Sequence, residues 1–102
     1  MKKLVRDKIP EFAKYAKYRK LNFEEIENAL KDKIVEEALE VKDSTNDQNL
    51  IEELGDVYSV INAFLDFKKI DKTTFLKRVA EKDKVKGPFS KYLLMEVDNK
   101  DN

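Results

Sequence analysis

Glu53 and Asp56 constrain this chain most, because both acids fall on the apolar stripe of their own helix. At 100° per residue, with Glu53 set to 0°, Asp56 lies at about 300°, Val57 at about 40°, Val60 at about 340°, Ala63 at about 280° and Phe64 at about 20°. The acids therefore share the face that must pack. An ionised carboxylate buried without a partner costs on the order of several kcal/mol, so it neutralises or finds a cation. No Lys or Arg occurs between residues 43 and 67 to serve locally. A second acidic cluster, Glu36-Glu37-x-x-Glu40, lies upstream, separated from residue 53 by the 12 residues 41–52. A divalent metal held by carboxylates from two helices explains both placements.

The rest of the chain fits an all-α domain. Ile9 precedes Pro10 and is biased away from helical angles, so residues 1–9 read as an extended lead-in. Phe12, Tyr15, Ala16 and Arg19 recur at helical spacing and predict a short helix over about residues 11–20. Asn22, with Glu25 three residues on, predicts the start of a long helix over 23–42. Residues 43–47 (DSTND) form a turn, with Asp47 as the cap of a third helix over 48–67. So short a turn makes an antiparallel hairpin, in which the two acidic clusters face each other. The turn is not a calcium loop, because Gln48 stands where an EF-hand needs Gly and Leu54 where it needs Glu.

Asp71 predicts the cap of a fourth helix over 72–84, with Phe75, Leu76, Val79 and Ala80 as its buried stripe and Gly87-Pro88 as its stop. Phe89 to Val97 reads as an extended arm, and 98–102 as a polar tail. The expectation is one domain over 1–97.

Composition removes most other chemistries. With no Cys there is no disulfide framework or thiolate metal site, and with no His there is no imidazole base or Glu-x-x-His di-iron set. The chain lacks a signal-like apolar run and any stretch of membrane-spanning length, so a soluble cytoplasmic protein is expected. Formal net charge is +0, yet residues 1–20 carry +6, 21–60 carry −9 and 61–102 carry +3. That segregation suits a metal cage bordered by cations and ready for a polyphosphate. It lacks the unopposed basic face that a nucleic-acid polymer needs.

On the second helix, taking Lys33 as 0°, Glu36, Glu37 and Glu40 lie at about 300°, 40° and 340°, whereas Ile34, Val35, Ala38, Leu39 and Val41 fill about 80° to 240°. Seen alone, that acidic face reads as solvated, with a Lys33/Glu37 pair four residues apart. The two clusters together read as ligands. Glu37/Glu40 and Glu53/Asp56, each an i,i+3 pair, offer four carboxylates to Mg2+ or Mn2+, and Glu36 adds a proton acceptor.

These residues, KIVEEALE (33–40) and EELGD (52–56), with KLVRDKIPE (3–11) and KDKVKGPF (82–89), resemble the MazG-type all-α nucleoside triphosphate pyrophosphohydrolases, in particular a small single-domain branch. The resemblance implies metal ligation by Glu37, Glu40, Glu53 and Asp56. It also implies Glu36 or Glu37 as the group receiving a proton from the attacking water, and phosphate contacts from Lys33, Lys82 and Lys86. Lys86 stands where many relatives have Arg, and offers a point charge instead of a bidentate fork.

The implied fold is a four-helix bundle completed in a homodimer or homotetramer, and the implied reaction is cleavage between the α and β phosphates. The rival expectation is a non-catalytic helical oligomerisation or nucleotide-sensing module. Three further positions have smaller claims. Gly55 reads as a site of close packing, Asn62 as an outward residue, and Arg6, Asp7 and Lys8 as structural ion pairs or as a reach toward substrate.

Overall fold

A computed structural model describes residues 2–98 and shows, among them, four helices and no strand: α1 (Ile9–Phe12), α2 (Phe23–Lys42), α3 (Asp47–Phe67) and α4 (Lys72–Lys86). The expected polar tail lies, beyond Asp98, outside the described residues. The chain divides into two compact units, one up to Ile70 and one from Asp71 onward.

In the first unit α2 and α3 pack along each other. The connection between them is only residues 43–46, so the pair is antiparallel. The far end of the hairpin confirms this, where the Phe23 and Phe67 rings lie 5.4 Å apart and Lys68 Nζ donates to Glu27 at 2.7 Å. Leu30 of α2 and Leu65 of α3 are its buried residues.

The helix ends follow from capping chemistry. Glu25 reaches back to the Asn22 N–H at 2.9 Å and takes both guanidinium nitrogens of Arg19 at 2.9 and 2.8 Å. Hydrogen bonding from Arg19 and from the Asn22 N–H, with the Arg19 charge, holds the Glu25 carboxyl at about 2, well below its ordinary 4.5. Helix α3 starts one residue earlier than its sequence suggests. Asn46, extended at φ −151°, accepts from Asn49 N–H at 2.8 Å and takes the capping role expected of Asp47, which becomes a first-turn acid.

The first helix departs most from expectation, being a single turn instead of a helix over 11–20. Its supposed apolar face has nothing to pack on, since Phe12 is 81% and Tyr15 91% exposed. A helix that short is marginal without packing. Residues 13–22 instead run outside any helix, fastened where Tyr18 Oη donates to the Ala13 carbonyl.

In the second unit Asp71 caps α4 by accepting from Thr74 N–H at 3.0 Å, and Gly87, at φ 88°, stops it in a conformation open to glycine. The stripe expected to be buried is not: Phe75 is half-buried, and Leu76, Val79 and Ala80 are exposed. Phe89 to Val97 follow without helix or strand and with their apolar side chains exposed. No helix among the described residues is long and apolar enough to cross a membrane.

Candidate metal centre

Antiparallel pairing turns the end of α2 toward the start of α3 and brings acids from both onto the shared seam. Glu53, Asp56, Val57, Val60 and Phe64 are all at least partly covered, as the helical angles require; Ala63, assigned to the same stripe, is exposed. On α2 the covered residues include Ile26, Leu30, Lys33, Ile34, Glu36, Glu37 and Val41. The Lys33 and Glu37 side chains are only 13% and 12% exposed. The face that reads as solvated when α2 is taken alone is thus part of the packing surface. Val35 and Leu39, on the nominally apolar side, stand in the open.

One carboxylate oxygen from each of Glu37, Glu53 and Asp56 lies within 4.8 Å of the other two. Glu40, the fourth expected ligand, is exposed and outside this trio, yet its charge acts on Glu53. Burial pushes the Glu53 carboxyl above its ordinary 4.5, and the negative charges of Glu40, Asp56, Glu37 and Glu52 push it further. Glu53 makes no ion pair or hydrogen bond to a cation among the described residues.

The other acids are partly neutralised. Lys33 Nζ donates to Glu36 at 2.7 Å and lies 3.2 Å from Glu37. Burial pulls the Lys33 ammonium down, but hydrogen bonds and charge from Glu36 and Glu37 outweigh it and leave the group raised. The same hydrogen bond lowers the Glu36 carboxyl. Asp56 takes its cation from 50 residues away, where Arg6 Nη2 donates to Asp56 Oδ1 at 2.5 Å. Lys3 Nζ approaches Glu36 at 3.6 Å.

Sequence reasoning gives Arg6 only a small claim and Lys3 none. The available signal is the +6 charge of residues 1–20 against the −9 of 21–60, which says that the basic end has an acidic place to go. Gly55 also differs from expectation. A Cβ there would meet nothing within 4 Å, so close packing inside the chain does not explain it. It lines a shallow open depression of about 260 Å³ with Arg6, Ile51, Glu52, Asp56 and Ser59. Asn62, expected outward, is half-buried. Lys82 and Lys86 are exposed on α4, in the second unit.

The donor set suits a hard cation. Six-coordinate Mg2+ at about 2.1 Å separates adjacent ligand oxygens by about 3.0 Å and opposed ones by about 4.2 Å. The three oxygens, all within 4.8 Å of one another, lie close to that range. With oxygen donors alone, Mg2+ or Mn2+ fits, and soft or imidazole-seeking metals do not. No family model matches the chain, nor does any curated protein or solved structure.

Proposed function

We propose that this chain is a metal-dependent nucleoside triphosphate pyrophosphohydrolase of the MazG-like all-α type, cleaving between the α and β phosphates to give a nucleoside monophosphate and pyrophosphate. The observation that carries the reading is Glu53. It is a partly covered carboxylate without a cation of its own among the described residues, set against two further carboxylates on two helices. A dication held there would supply the missing charge, and its chemistry would be to screen phosphate oxygens and offset charge developing on them.

The chain's own residues have distinct parts. Glu37, Glu53 and Asp56 would hold the ion, and Glu40, exposed and outside that trio, would join them as a fourth ligand by turning inward. Glu36, kept ionised by Lys33, is available as an acceptor for the proton of the attacking water. Lys33 is committed to Glu36 and Glu37, so it reaches a phosphate only by exchanging partners.

The apolar residues left open on the hairpin, Val35, Leu39, Ile51, Leu54 and Tyr58, are between 50% and 69% exposed and serve a homodimer or homotetramer interface. Cytoplasmic removal of noncanonical or surplus nucleotides is the role such an enzyme would fill.

A non-catalytic oligomerisation or nucleotide-sensing module is the second reading. It is favoured by Arg6 and Lys33, which already neutralise Asp56, Glu36 and Glu37. Pyrophosphate release measured over a panel of canonical and modified triphosphates, with Mg2+ or Mn2+, separates the two. The enzyme reading expects Glu53→Gln and Asp56→Asn each to lower the metal-dependent rate by about 100-fold or more. Release that survives both substitutions contradicts it.

A further inference from the structure

Arg6 and Lys3 approach the acidic seam from a segment that belongs to neither helix, and they land on acids of different helices, Asp56 of α3 and Glu36 of α2. Leu4 and Val5, between them in sequence, are half-buried, so apolar cover as well as charge settles this segment. The Arg6 carbonyl accepts from Ile9 N–H at 3.0 Å and joins the segment to α1.

We propose that residues 3–6 form a counter-ion strap: Arg6 occupies Asp56 while the centre is free of metal, and entry of a divalent cation displaces Arg6 from Asp56. This rests on the metal reading above. Asp56 is both the acceptor of the guanidinium and one of three carboxylates within 4.8 Å of one another. A dication drawn to those oxygens arrives beside an existing positive charge and repels it. The ion pair that must open is exposed on both sides, at 58% for Arg6 and 37% for Asp56, so its loss costs little. Lys3 sits on Glu36, outside the trio, and remains as the tether.

Nitrogen-15 NMR of the full chain reads the exchange directly, because Arg6, Arg19 and Arg78 are its only arginines. Titration with Mg2+ alone is expected to move the Arg6 side-chain Nε–Hε signal to the position of a solvated arginine. The signal of Arg19, paired with Glu25, should stay in place. Calorimetry at low salt should show Arg6→Gln binding Mn2+ about threefold to fivefold more tightly than the wild type, and Arg6→Lys restoring the wild-type affinity. Mn2+ binding with equal affinity to wild type and Arg6→Gln, with an unmoved Arg6 signal on Mg2+ addition, overturns the strap and leaves the metal centre standing. Failure of wild type and Arg6→Gln alike to bind either ion overturns the metal centre and the strap with it.

Discussion

On α2 the side chains of Lys33 and Glu37 are 13% and 12% exposed, whereas Val35 and Leu39, on the same helix, are 59% and 55% exposed. The same contrast runs along α3, where Glu53 and Asp56 are partly covered and Ile51, Leu54 and Tyr58 stand out. Burying charge and displaying hydrocarbon are each unfavourable for an isolated hairpin, and the two sides ask for different remedies. The seam asks for positive charge, which Lys33 and Arg6 supply in part and a dication completes on our reading. The outer side asks for apolar cover, which a second copy would supply on the same reading.

The outer side gives the test with the largest expected effect. Replacing Val35 and Leu39 together by Glu should convert the proposed oligomer wholly to monomer in light scattering at micromolar concentration. A wild-type chain that is already monomeric there removes the interface from the account.

The hairpin's own core comes next. Leu30→Ala should lower unfolding free energy by about 2–5 kcal/mol in chemical denaturation, as expected for emptying a buried leucine site. A loss near zero would mean that the seam is held by its charges and not by its few buried leucines.

The smallest effect is in pH, and it separates the two kinds of carboxylate. Folding raises the Glu53 pKa, so the metal-free fold binds that proton more tightly than the unfolded chain does. Ionised Glu53 therefore destabilises at neutral pH, and the penalty lifts as pH falls through its folded value. Glu25 runs the other way: its stabilisation is present above 4.5 and is lost as pH falls toward about 2. Metal-free Glu53→Gln should thus melt above the wild type at pH 7, with the gap closing toward pH 4.5. Parallel melting curves across that range would show that Glu53 feels no repulsion.

Much of this was legible from local chemistry. Helices α2 and α3 and the start of α4 follow from caps and turns that act within a few residues, and the inward turn of Glu53 and Asp56 follows from periodicity alone. Two features needed the fold. The partner of Asp56 is 50 residues away, a distance over which charge segregation gives only a direction. The segment 11–20 has helical spacing but no surface to meet, so its pattern is satisfied nowhere. The seam of α2 is legible only with α3 in view, because a run of Val, Ala and Leu marks a face that prefers cover, not which face the neighbouring helix takes.

Direct titration of Mn2+ into the full chain and into Glu53→Gln, followed by the loss of the free-ion resonance in electron paramagnetic spectra, tests the central claim that Glu37, Glu53 and Asp56 hold a dication. The account predicts saturable binding by the wild type that Glu53→Gln weakens by about tenfold or more. Equal binding by both chains, or none by the wild type, would contradict it.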